Sequence, residues 1–255
     1  MAYLATTYPT HTNVAIRAMV KEKGGNMDDR IDRSPARVVL QPIAAPSILG
    51  LYGFAGSTFI VAANLAHWYG TPETPLFLFP FAAFFGGLAQ FLAGMWSYRA
   101  RDAIATAMHG MWGAFWMGWG LLQLLVVTGL LKVTDPNFLP AFGYWFIALG
   151  VITLMGAIAA SVENIALAGV LHTLWIGSGL LAIGFLVTHN INSIWVIVGG
   201  WVLLLSALLA WYTASALMFE GIFGRAVLPV GLTQKAKQEP ELAPGEGEPG
   251  VAKGQ

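Results

Sequence analysis

Between Val38 and Phe219 the chain carries only seven charged side chains: Glu73, Arg99, Arg101, Asp102, Lys132, Asp135 and Glu163. A soluble domain of that length needs far more charge, since ordinary globular chains are about 25% Asp, Glu, Lys and Arg. Here the whole sequence is 10% charged and 56% hydrophobic. Water cannot be faced over so much surface with so few charges, which excludes an ordinary soluble enzyme, a disordered chain and a nucleic-acid binder with a basic face. The fold class expected is an all-α membrane protein.

Six apolar blocks fall at 47–69, 76–98, 103–131, 139–162, 165–188 and 193–219. Each is long enough to cross a hydrocarbon core about 30 Å thick, which takes about 20 helical residues. None shows the strict alternation of a strand, and a helix satisfies its own backbone polar groups within lipid. The connections are short and rich in turn residues, such as Gly70-Thr71-Pro72-Glu73-Thr74-Pro75, so consecutive helices are expected to lie antiparallel.

The ends differ from this body. Residues 1–45 read as a polar arm with Arg17, Lys21, Lys23, Arg30, Arg33 and Arg37, with a short surface helix over Val14–Val20. Residues 232–255, rich in Pro, Gly, Glu and Lys, read as a disordered tail, leaving 46–231 as the six-helix domain. Twelve of the thirteen Lys and Arg lie on one side if both ends are cytoplasmic, Lys132 being the exception. Basic residues favour the cytoplasmic side, so that orientation is expected in a multi-pass inner-membrane protein. The polar N-terminus lacks an apolar stretch followed by a small-residue cleavage site, so no cleaved signal peptide is expected. Trp68, Tyr69, Trp96, Tyr98, Tyr144, Trp145, Trp195, Trp211 and Tyr212 stand near block ends, as interfacial aromatics do.

The chemistry on offer is sparse. There is no cysteine, which removes disulfides, thiolate metal sites and thiol nucleophiles. No His pair has metal-binding spacing, no phosphate-binding loop or Ser-nucleophile motif sits in a suitable context, and no cofactor or metal is expected. Glu163 comes nearest to an intramembrane charge and reads as a loop carboxylate capping the next helix. The absence of mid-membrane acids argues against a carboxylate relay and against a cation site built from acidic rings. His109 shares a helix face with Trp112 and Trp116, and His172 one with Trp175 and Ser178. A protonatable His109 or His172 beside a pore would give pH dependence in the physiological range. The glycines of the first three blocks, including Gly53, Gly94, Gly110 and Gly113, suit close helix packing. The residues alone point to a pore or carrier for a small solute, embedded in membrane lipid, with no nucleic-acid partner.

Four motifs then occur in order. Ala45-Pro46-Ser47-Ile48-Leu49-Gly50-Leu51-Tyr52-Gly53-Phe54 resembles the Asn-Pro-x-Pro-Leu-Gly-Leu-x-Gly-Phe signature of the acetate uptake transporter family, also called GPR1/FUN34/YaaH or succinate–acetate permease. Phe85-Gly86-Gly87-Leu88-Ala89-Gln90-Phe91-Leu92-Ala93-Gly94 and Trp112-Gly113-Ala114-Phe115-Trp116 are similar to two further family motifs. Phe223-Gly224-Arg225-Ala226-Val227-Leu228-Pro229-Val230-Gly231 resembles its closing Phe-Gly-Arg-x-Val-Leu-Pro.

The resemblance implies six transmembrane helices around a central pore in each protomer, assembly of protomers as a hexamer, and passage of acetate and similar small carboxylates, proton-linked. It matches the family's apolar constriction to Phe54, Trp112 and Leu174. The chain departs from the pattern at Ala45, where the signature has Asn, at Ile48, where it has Pro, at Ser97, where it has an acid, and at Trp112, where it has Tyr. The last change removes a hydroxyl; an indole donates a hydrogen bond but accepts none.

A bare anion pays heavily to cross an apolar constriction, whereas a neutral acid, or an anion escorted by hydroxyls and helix N-termini, crosses at lower cost. Ser57, Thr58, Gln90, His109, Thr173 and Ser178 are the candidate escorts, and Leu49 and Gly50 of the first motif join them as pore-lining candidates. The rival readings are a channel for a small neutral solute such as urea, an amide or ammonia, and a non-transporting membrane protein that binds a protein partner through its arm or tail.

Overall fold

The computed structural model describes residues 44–233, and they form six helices long and apolar enough to cross a membrane. These are α1 (Pro46–Leu65), α2 (Pro75–Ala100), α3 (Ala103–Val127), α4 (Phe138–Ala160), α5 (Ile165–Thr188) and α6 (Ile194–Phe223). The expected blocks and the helices agree in number and order. The arm and the tail lie outside the described residues, apart from 44–45 and 232–233.

Local chemistry sets the helix ends. Pro46 and Pro75 open α1 and α2, where a missing N–H costs no helical bond. Arg101 takes a left-handed conformation that stops α2, and Asp102 immediately caps α3 by accepting from Ala105 N–H at 2.8 Å. Asn164 caps α5 by accepting from Leu167 N–H at 2.8 Å, so the cap expected of Glu163 belongs to its neighbour. Ile165 and Ala166 donate to the carbonyls of Gly231 and Val230, each at 3.0 Å, and Thr233 N–H donates to Glu163 O at 3.1 Å. The closing motif thus folds back over the α4–α5 loop and satisfies first-turn N–H groups that a helix start leaves without partners.

α2 is not a uniform α-helix. Residues Ala83–Ala89 form a π-helical stretch shortly after Pro80. Such a stretch diverts backbone groups from the usual ladder. One finds its partner across the interface: Gly86 N–H donates to Ser57 Oγ of α1 at 2.7 Å.

The helices pack as a closed ring in the order α3, α2, α1, α6, α5, α4. Among consecutive pairs in that ring, α3 and α4 touch each other least. The inward faces carry Phe54, Trp112, Phe115, Phe146, Leu174 and Leu181, all buried, while Phe77, Phe81, Phe84, Tyr144, Leu205 and Leu208 point outward. An exposed apolar belt of this extent is what lipid contact requires.

Candidate functional site: two chambers and a septum

Two cavities lie on the axis of the ring and share two walls, Trp112 and Leu174. The first, about 140 Å³, reaches toward the α2–α3 and α4–α5 loops, with Asp102, Glu163, Asn164 and Val230 at that end. The second, about 90 Å³, reaches the opposite end, with Asn64, Pro75, Phe138 and Ile191. Trp112 and Leu174 therefore form a septum between them, and Phe54 closes it from the first chamber. All three side chains are buried.

The septum is held by its neighbours. Phe54 meets Trp112 edge-on with ring centroids 6.1 Å apart, and Phe115 meets it from the next turn at 5.2 Å. These edge-to-face contacts are a preferred aromatic geometry. The indole N–H of Trp112 donates to Thr153 Oγ1 of α4 at 2.9 Å, and Thr153 in turn donates to Leu149 O at 2.7 Å. Beyond the septum the second chamber is walled by Phe115, Trp116, Trp119, Phe142, Phe146 and Phe185.

Residues that line each chamber carry buried polar atoms without a hydrogen-bond partner. In the first they are Gln90 Oε1 and His109 Nδ1; in the second, Thr58 Oγ1 and Trp116 Nε1. A polar group left unpaired in an apolar interior costs about 1–3 kcal/mol, a cost that a passing polar solute or water relieves. Among the described residues, no Lys or Arg lines either chamber. With a side-chain rotation, these residues could hydrogen-bond a small polar molecule on both sides of an apolar septum, and the described lining offers an anion no Lys or Arg.

The candidate residues divide cleanly. Phe54, Trp112, Leu174, Thr58, Gln90 and His109 line the chambers. Gly50 lines neither but makes room for one that does: a Cβ there would stand 2.6 Å from the His109 ring. Ser57 is turned toward α2 and spent on Gly86 N–H. Thr173 donates to Gly169 O at 2.7 Å and Ser178 to Leu174 O at 2.8 Å, each within its own helix. Leu49 lies half exposed on the outside of the ring. His172 accepts from Trp175 Nε1–H at 3.1 Å and bonds Ser161, away from both chambers.

Trp116, Glu163 and Asp102 line the chambers and Thr153 braces Trp112 from behind; the sequence did not single these out as pore residues. Trp116 was within reach, since it lies one helical turn from Trp112 on the same face.

The comparisons with known proteins agree with this architecture. The succinate–acetate/proton symporter SatP of Escherichia coli K12 is 30% identical over 190 residues, covering 74% of this chain and 96% of that protein. The glyoxylate pathway regulator of Yarrowia lipolytica is 27% identical over 172 residues, 67% of this chain, which spans only 62% of that protein's length. The solved structure of the bacterial acetate channel SatP superposes with a TM-score of 0.66 at 27% identity, over 74% of this chain and all of that one. The model of the GPR1/FUN34/yaaH family matches residues 29–226, and the chain belongs to that family.

Proposed function

We propose that this chain moves acetate and similar small carboxylic acids across the inner membrane, through the first chamber, past the Trp112–Leu174 septum and into the second. The observation that carries the reading is the pair of axial chambers separated by one apolar layer, with partnerless polar atoms on each side. The names of its relatives support it, a succinate–acetate/proton symporter and an acetate channel.

The lining favours the neutral acid over the anion. Among the described residues a carboxylate at the septum meets no Lys or Arg, and burying it there unpaired is costly. A protonated acid can donate to Gln90 Oε1 or His109 Nδ1 in the first chamber and, once past the septum, accept from Trp116 Nε1–H in the second. Each acid then carries its proton, which makes passage proton-linked without a dedicated relay. The test is labelled acetate uptake into proteoliposomes, with empty vesicles subtracted. Uptake at fixed total acetate is expected to rise about tenfold from pH 7 to pH 6, following the protonated fraction of a carboxyl that titrates near pH 4–5. A protein-dependent flux that is flat with pH would mean that the anion crosses.

The same cation-free lining favours one second reading, a channel for a neutral amide or ammonia; protein-dependent acetamide or urea flux with no acetate flux would select it. We place both ends in the cytoplasm and the protomers in a hexamer. A cysteine at Arg99 that reacts with a reagent confined to the outside would reverse the orientation. A smaller mass for the intact assembly in native mass spectrometry would remove the hexamer.

A further inference from the structure

We propose that Thr153 is the positioning residue that holds Trp112 across the pore and thereby sets its size selectivity. The inference rests on reading the septum as the narrow point of the path.

The indole N–H is Trp112's sole hydrogen-bonding group, and it can only donate. It is buried among aromatic and aliphatic side chains, where a donor without a partner is costly. Thr153 Oγ1 supplies the acceptor at 2.9 Å. The hydroxyl is itself fixed, because its proton goes to Leu149 O at 2.7 Å, one turn back in α4. That leaves an oxygen lone pair aimed at the indole. Thr153 is fully buried and lines neither chamber, so whatever it does to a solute it does through Trp112.

The surroundings make this bond decisive for the ring's orientation. Trp112 borders a chamber on each side, so open space is available to it both ways. Phe54 and Phe115 pack against it in edge-to-face contacts, and its N–H goes to Thr153. Around Trp112, α3 also meets α4 through Phe115, which packs on Phe142 and Phe146, but the bond to Thr153 is the hydrogen bond that reaches the indole itself. Without the bond, the packing of Phe54 and Phe115 alone holds the indole, which then turns more readily toward a chamber and widens the septum.

The test reads the ratio of butyrate to acetate initial uptake in proteoliposomes, for Thr153→Val, Thr153→Ala and Thr153→Ser. Each is made in the native chain and in a Trp112→Phe background. Indole ¹⁵N–H spectra are recorded in parallel, with the Trp112 signal assigned by its absence in Trp112→Phe. Valine keeps the shape and removes the acceptor, and is expected to raise the ratio about tenfold, the population shift that losing one buried hydrogen bond produces. Alanine is expected to act in the same direction, and serine to restore the ratio to within about twofold, because it keeps the oxygen. With a phenylalanine ring in place of the indole there is no N–H to lose, so Thr153→Val is expected to change the ratio by less than about twofold.

An unchanged ratio in folded Thr153→Val and Thr153→Ala overturns the proposal. So does an equal shift in the Trp112→Phe background, which would mark Thr153 as packing only. If the native protein carries neither acid, the transport reading fails separately, and the spectrum still decides: a Trp112 signal that does not move in Thr153→Val overturns the clamp.

Discussion

Replacing Trp112 by alanine is expected to join the two chambers and abolish discrimination against larger acids. The indole is the largest side chain that both cavities share, and its removal leaves Leu174 facing Phe54 across a void. A close-fitting apolar site distinguishes solutes by about 10- to 200-fold for each added methylene. Losing the fit should therefore raise butyrate uptake relative to acetate by at least about tenfold. The variant also loses the contacts with Phe54 and Phe115 and the bond to Thr153, so a stability loss of about 3 kcal/mol accompanies the change. Uptake ratios in proteoliposomes check the first effect and thermal denaturation in detergent the second. An unaltered ratio would remove Trp112 from the narrow point.

A large structural effect is expected at Gly94. A Cβ built there would stand 2.6 Å from the backbone N of Gly110 and 3.1 Å from the carbonyl carbon of His109. Backbone cannot rotate aside as a side chain can, so Gly94→Ala must drive α2 and α3 apart. Overpacking of this kind costs about 1–3 kcal/mol, and more where the neighbour is rigid. Gly110, directly opposite, is the control. A Cβ at Gly110 meets nothing within 4 Å, and replacing a helical glycine by alanine favours the helix by about 1 kcal/mol. Size-exclusion profiles and melting temperatures in detergent should show Gly94→Ala strongly impaired and Gly110→Ala at or above the native protein. Equal impairment of the two would contradict this close approach of α2 and α3.

The helices were legible because lipid imposes one solution: an apolar run of about 20 residues must satisfy its own backbone, and it does so as a helix. Sequence reasoning was weaker wherever a polar side chain had a choice of partners. Thr58 and Ser57 are adjacent in sequence, yet Thr58 lines a chamber while Ser57 serves the π-helical stretch of α2. Nothing in the first block reveals that α2 offers a diverted N–H at Gly86. Thr173 and Ser178 return their hydroxyl protons to carbonyls one turn back, a local option open to every helical Ser and Thr that leaves no mark in the sequence. Thr153 lies 41 positions from Trp112, and only the packing of α4 beside α3 brings them together. Glu163 and Asn164 compete for one cap; the shorter Asn side chain, at the residue with extended backbone, takes it.

The central claim, that solute passes along the two chambers, is tested most directly with a single cysteine in a chain that has none of its own. Thr58→Cys places a thiol on the wall of the second chamber, beyond the septum from the α2–α3 loop. Its complete reaction with a small, charged, membrane-impermeant thiol reagent, verified by intact mass, is expected to stop acetate uptake, while the same reagent leaves uptake by the cysteine-free protein unchanged. Full modification with uptake undiminished would mean that the path lies elsewhere.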